Sequence, residues 1–124
     1  MEAISTSKAP GAIGPYSQAV KANGLIFVSG QLPVDPATGN FAGGGIKELT
    51  RQSLTNIRNI LTEAGTGMDR VLKTTVYLAD MADFAEMNAV YAEFFSEPFP
   101  ARSAVAVKGL PKGARVEIEV IAAV

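Results

Sequence analysis

Apolar positions along this chain recur first at every second residue, then at every third or fourth, then at every second again, and these changes mark its elements. The opening stretch carries Pro10, Gly11 and Gly14-Pro15 and reads as a loose start. Two strands are predicted next, Tyr16 to Ala22 and Leu25 to Gln31, joined by Asn23-Gly24. That dipeptide suits a type I′ turn, in which both central residues need positive φ. The second arm begins Leu25-Ile26-Phe27-Val28, a continuous apolar run that suits a strand covered on both faces. Pro33, Asp35-Pro36, Gly39-Asn40 and Gly43-Gly44-Gly45 then break the pattern.

From Ile46 to Ala64 the spacing becomes helical. Ile46, Leu49, Ser53, Ile57, Ile60, Leu61 and Ala64 form one buried stripe, with Gly65 and Gly67 as its stop. Val71 to Leu78 predicts a strand through Val71, Thr74, Thr75, Val76 and Tyr77. Asp80 is placed as the N-cap of a second helix, with Asp83 in its first turn. Its apolar side carries Phe84, Met87, Val90 or Tyr91, Phe94 and Phe95, and Pro98 and Pro100 end it. Strands Arg102 to Lys108 and Val116 to Ala123 flank a turn at Leu110-Pro111-Lys112-Gly113.

The order ββαβαββ, without an internal repeat or linker, predicts one domain over residues 1–124. It is of the α+β class: a mixed sheet of about five or six strands with both helices packed on one face. In the last strand Val116, Ile118, Val120 and Ala122 alternate with Glu117, Glu119, Ile121 and Ala123. One face of that strand therefore mixes carboxylates with apolar surface, which suits a cleft between subunits.

Composition sharpens this picture. The 124 residues are 48% hydrophobic and 19% charged, with a mean hydropathy of +0.20, enough for a core without cross-links and with apolar surface left to meet another copy of the chain. Eleven basic and twelve acidic residues are interspersed, giving a net charge of -1, which argues against a nucleic-acid partner. There is no basic leader with an apolar core and no apolar run near about 18 residues, so a cytoplasmic protein with no membrane association is expected. The chain has no His and no Cys, which removes the usual zinc sites, Cys nucleophiles and Ser-His-Asp triads. No calcium-loop pattern is present either, and neither metal nor cofactor is expected.

The remaining chemistry rests on few residues. Gly43-Gly44-Gly45-Ile46-Lys47 lacks the spacing of a phosphate loop and reads as a flexible connection. Ser29-Gly30 offers a hydroxyl and an unobstructed backbone for a ligand, or simply a strand-ending turn. Arg102 opens a strand of Ser, Ala and Val after Pro100-Ala101. On spacing alone it reads equally as a bidentate carboxylate clamp or as an ion-pair partner of Glu117. Glu117 and Glu119 share a strand face, where one carboxylate pKa can be pushed up toward acid–base duty, although alternating charge on a solvated edge has the same pattern. Tyr16 and Asn88 are polar residues beside apolar stretches, a pattern found more often in a satisfied, partly buried core residue than in a site residue.

Several runs, taken in order, carry a resemblance: Ala12-Ile13-Gly14-Pro15-Tyr16-Ser17-Gln18-Ala19-Val20, Val28-Ser29-Gly30-Gln31, Lys73-Thr74-Thr75-Val76-Tyr77-Leu78, Phe99-Pro100-Ala101-Arg102-Ser103, and Leu110-Pro111-Lys112-Gly113 with Val116-Glu117-Ile118-Glu119. From about residue 4 onward the chain resembles the RidA family, also called YjgF, of reactive-intermediate imine deaminases. The resemblance implies a homotrimer of a chorismate-mutase-like fold with a six-stranded sheet and clefts between neighbouring subunits. It implies hydrolysis of 2-iminobutanoate and 2-iminopropanoate, with their enamine tautomers, to 2-oxo acids and ammonia. The imines would come from pyridoxal-phosphate-dependent Thr and Ser dehydratases. By position, Arg102 would bind the substrate carboxylate, Gly30 and Ala104 would offer backbone contacts, Glu117 would hold or activate water, and Tyr16, Ser29 and Asn88 would line the pocket. Many bacterial relatives carry Cys where this chain has Ala104, so no thiol-dependent role is expected. Other relatives of this fold are described as ligand-binding, chaperone-like or translation-inhibiting, the last credited with ribonuclease activity, and this is the competing expectation.

Overall fold

The computed structural model describes residues 1–124. Strands β1 (Glu2–Ile4), β2 (Ala19–Ala22) and β3 (Leu25–Gln31) precede helix α1 (Ile46–Glu63). Strand β4 (Val71–Leu78), helix α2 (Phe84–Phe94), strand β5 (Ala101–Ala106) and strand β6 (Val116–Ala123) complete the chain. They build one mixed sheet in the order β1-β2-β3-β6-β4-β5. Every neighbouring pair is antiparallel except β4 and β5, which run parallel with α2 as their crossover. The α+β architecture of six strands and two helices is as the sequence predicts.

Local chemistry explains the boundaries. Asn23 and Gly24 both take positive φ, 53° and 76°, as the type I′ turn between β2 and β3 demands. The carboxylate of Glu48 accepts from the Gly45 backbone N–H at 2.9 Å and so holds the start of α1. At its end Gly65 takes φ 86°, and Gly65 and Thr66 donate to the carbonyls of Thr62 and Leu61, which closes a Schellman motif. Asp80 does cap, but it accepts from Ala82 N–H at the head of a single tight turn, Met81–Asp83, and α2 begins only at Phe84.

Three expectations are corrected. The loose start contains β1, which pairs Glu2 with Lys21 and Ile4 with Ala19, so the order is βββαβαββ. Tyr16 to Gln18 is not strand. There the Gln18 side chain replaces the ladder, accepting from Thr6 N–H at 2.7 Å and donating to the carbonyls of Thr6 and Pro10 at 3.0 and 2.7 Å. Finally, β5 stops at Ala106 rather than Lys108.

Ile26, Val28, Val76, Leu78, Val116, Ile118, Val120 and Ala122 project from one sheet face onto Leu54, Ile57, Ile60, Leu61, Met87 and Tyr91 of the helices, forming the core. The other face carries Phe27, Tyr77, Val105, Glu117, Glu119 and Ile121 and has no layer over it. Phe27 and Val105 are 41% and 44% exposed there.

Candidate functional site

The residues singled out from the sequence fall into two groups. The first surrounds a bulge. Val28 pairs with Val120 and Gln31 with Ile118, so Ser29 and Gly30 together oppose the single residue Glu119. The extra residue bends β3 outward beneath the segment before β2. Ser29 fastens that segment, donating from its backbone N–H to the Gln18 carbonyl at 2.9 Å and from its hydroxyl to the Ser17 carbonyl at 2.6 Å. Gln18 in turn ties residues 6 to 10 across the top, which leaves a cavity of about 1010 Å³ beneath the loop.

Tyr16, Ser29, Gly30 and Glu117 all line this cavity, walled by the early loop and by Pro36 and Gly39. Gly30 has a steric task there. A Cβ at this position would lie 2.8 Å from Cδ of Glu117 and 3.1 Å from its Cγ, so the absence of a side chain is what lets the Glu117 carboxyl lie across the bulge. Half-buried, Glu117 has its carboxyl held above the usual carboxylate range, first by loss of solvent and second by the negative charge of Glu119. Glu119 is pinned, accepting from the Tyr77 hydroxyl at 3.0 Å, and the same bond pushes the Tyr77 phenol up. Tyr16 stands at the mouth, 54% exposed, its hydroxyl accepting from Ile13 N–H at 3.4 Å.

The second group lies elsewhere. In the parallel β4–β5 ladder Arg102 is level with Thr74 and Ala104 with Val76, both on the helix side of the sheet. Glu117 is opposite Tyr77, on the uncovered side. Arg102 and Glu117 therefore point away from each other, and the ion-pair reading of Arg102 fails; the ion pairs of the chain are Arg51–Glu93 and Arg115–Asp83. The partner of Arg102 is instead Asn88, whose Oδ1 accepts from Nη1 at 2.7 Å. The guanidinium lies over Tyr91, 4.6 Å from the ring centroid, with the Phe84 ring at 5.4 Å. It is an exposed cation with no carboxylate beside it. Ala104 is half-buried against the core, which leaves its backbone as the part a ligand can meet.

One chain thus brings Tyr16, Ser29, Gly30 and Glu117 together, and separately Asn88, Arg102 and Ala104, but not the two sets. Sequence reasoning passed over the residues that hold each set. Gln18 is 3% exposed, and its signal was a long polar side chain directly before an apolar strand. Lys112 lies in the left-handed region at φ 58° and is the only cation lining the cavity, whose only anion is Glu117. Thr74 and Tyr91 carried no signal beyond strand and helix pattern. No group of three or more His, Cys, Asp or Glu is placed to hold a metal ion, and no helix is long and apolar enough to cross a membrane.

Comparison with known proteins agrees with the motifs. The model of the family described as Endoribonuclease L-PSP matches residues 6–124. A RutC family protein of Sinorhizobium fredii is 55% identical over 121 residues, covering 98% of this chain and 96% of its own length. A Bos taurus protein named 2-iminobutanoate/2-iminopropanoate deaminase is 56% identical over 119 residues, covering 96% of this chain and 87% of that one. The crystal structure of RidA from an Antarctic Psychrobacter superposes with a TM-score of 0.95 at 45% identity, covering 100% of both chains. With the ordered motifs, the six-stranded sheet and identity sustained along almost its whole length, the chain belongs to the RidA (YjgF) family.

Proposed function

We propose that this protein hydrolyses reactive 2-imino acids, 2-iminobutanoate and 2-iminopropanoate with their enamine tautomers, to the corresponding 2-oxo acids and ammonia. The observation that carries the reading is the seat of Glu117: a half-buried carboxyl with its pKa pushed up, laid over a glycine in a roomy cavity. Such a group accepts a proton near neutral pH better than an ordinary carboxylate does. The relatives named as deaminases of these imines supply the substrate class.

The chemistry asks little else of the chain. A protonated imine carbon is already electrophilic, so orientation and a proton relay suffice. Water held by Glu117 adds its oxygen to that carbon, its proton passes to the carboxylate, and the carbon–nitrogen π pair moves onto nitrogen. Glu117 then returns the proton to nitrogen. The C–N bond breaks as the remaining hydroxyl gives its proton to the again-ionised Glu117 and becomes the carbonyl, releasing ammonia. The proton that the protonated imine brought in then leaves Glu117 for solvent or for the departing ammonia. Arg102, free of any carboxylate of its own, takes the substrate carboxylate through the donors that Asn88 leaves open.

Because the acid and the cation occupy opposite sides of one sheet, this reading puts each working site between two copies, the Glu117 cavity of one meeting the Arg102 shelf of the next. The family resemblance implies three copies. The uncovered sheet face, with Phe27, Val105 and Ile121, supplies the apolar surface for such an assembly. Imines leaving pyridoxal-phosphate-dependent Thr and Ser dehydratases are the proposed supply. The test is to couple the purified protein to a threonine dehydratase and follow 2-oxobutanoate and ammonia. Acceleration over the uncatalysed hydrolysis supports the reading, and a rate equal to that in buffer refutes it. RNA cleavage, which the family description evokes, is disfavoured by a net charge of -1 with basic and acidic residues interspersed along the chain.

A further inference from the structure

The guanidinium of Arg102 sits on an exposed edge strand, where a long side chain ordinarily samples many rotamers. Here it is built in from below. The Tyr91 ring supports it at 4.6 Å, and Tyr91 itself is only 6% exposed. The Tyr91 hydroxyl lies 2.8 Å from Oγ1 of Thr74, a fully buried residue level with Arg102 on the neighbouring strand. The same ring packs on Phe95, with centroids 4.5 Å apart. Asn88, one helical turn before Tyr91, takes one Nη1 proton.

We propose that Thr74 and Tyr91 are positioning residues for recognition of the substrate carboxylate. The buried Thr74–Tyr91 hydrogen bond sets the tilt of the ring, the ring sets the plane of the guanidinium, and Asn88 sets its rotation within that plane. Two-point recognition of a carboxylate needs all three, because both N–H vectors must meet both oxygens in one plane. Among the buried residues of β4, Val71, Thr74, Val76 and Leu78, Thr74 alone is polar, and its hydroxyl has this as its function. The inference rests on Arg102 being the carboxylate clamp, and the experiment separates failure of one from failure of the other.

Calorimetry on the assembled protein with 2-oxobutanoate and with its uncharged amide, 2-oxobutanamide, reads the carboxylate preference directly. Steady-state deamination gives KM and kcat. Thr74→Val and Tyr91→Phe each remove one hydroxyl of the pair, and with it the bond, and keep the ring; each is expected to weaken 2-oxobutanoate binding and raise KM about threefold to tenfold, with amide binding and kcat within about twofold. The double variant is expected to match the singles, since both break one bond. Tyr91→Leu, which removes the shelf, is expected to lose more than about tenfold. If Tyr91→Leu does not fold, the two isosteric variants and their double carry the test. Equal losses for acid and amide mean a purely structural role and overturn the proposal. Unchanged acid binding in these variants, while Arg102→Ala abolishes the preference, overturns it and leaves the clamp standing. A preference that survives Arg102→Ala overturns the clamp itself, and the proposal with it.

Discussion

The cavity around Glu117 and the shelf beneath Arg102 handle charge in contrary ways. Glu117 is drawn partly out of water, placed near a second carboxylate and allowed its position only because Gly30 has no side chain; its environment works against its charge. Arg102 stays exposed and is steered by two aromatic faces and an amide; its environment fixes the direction of the guanidinium. The first arrangement suits a group that must exchange a proton, and the second suits one that must hold an anion in register. Their placement on opposite faces keeps the cation from neutralising the acid within one chain.

The largest effect expected from this contrast is in mixing. Glu117→Gln and Arg102→Ala should each lower kcat/KM by about 10²–10⁴-fold, one by removing the base and the other by releasing the substrate. When the two inactive proteins are unfolded together and refolded at equal amounts, random assortment leaves both groups intact in about one site in four. About a quarter of wild-type activity should then return. No recovery would mean that acid and cation serve one site from the same chain, and the contrast between the two regions would lose its functional sense.

Gly30→Ala comes next. Its Cβ displaces the Glu117 carboxyl, and the expected outcome is a fall in kcat of about tenfold or more with binding of 2-oxobutanoate little changed. An equal loss in both would blur the division of labour. A smaller effect concerns pH. Because the folded protein holds the Glu117 proton more tightly than the unfolded chain does, stability falls as pH rises from the ordinary glutamate pKa through the raised one. Urea midpoints across that window should decline in the wild type, decline less in Glu117→Gln, and keep the wild-type slope in Arg102→Ala. Across the same window wild-type kcat/KM should rise, as the base ionises. Smallest is the stability change of Arg102→Ala itself, expected within about 1 kcal/mol, since the side chain is exposed and contributes only its stacking and one hydrogen bond.

Much of this architecture is written in local pattern. Asn23-Gly24 announces its turn, and the stripe from Ile46 to Ala64 announces α1, because each signal lies within a few neighbouring residues. The features that escaped are those set by distant partners. The three residues of β1 make a strand only because β2 offers an edge, and Tyr16 to Gln18 fail to make one because the Gln18 amide reaches back to Thr6 and Pro10. The same division holds for the site. Arg102, Glu117 and Gly30 stood out by residue type, but the facing directions of Arg102 and Glu117 depend on the ladder registers Thr74 to Arg102 and Tyr77 to Glu117, which no spacing along the chain encodes. Hence an ion pair between the two looked reasonable and is absent. The shelf was hidden for a related reason, since Thr74 and Tyr91 fit core patterns and reveal their bond only when α2 lies against β4.

The parallel pairing of β4 with β5 carries one more consequence, for the order in which the molecule takes shape. A parallel pair requires a crossover, and here the crossover is α2, so Thr74, Phe84, Asn88, Tyr91 and Arg102 all belong to one strand–helix–strand stretch between Val71 and Ala106. The cavity instead joins residues 5 to 39 with Pro111, Lys112 and Glu117, from opposite ends of the chain. Closing so long a loop costs more entropy. On a ribosome, the stretch that carries Arg102 and its aromatic shelf is fully synthesised before the strand that carries Glu117 has been made.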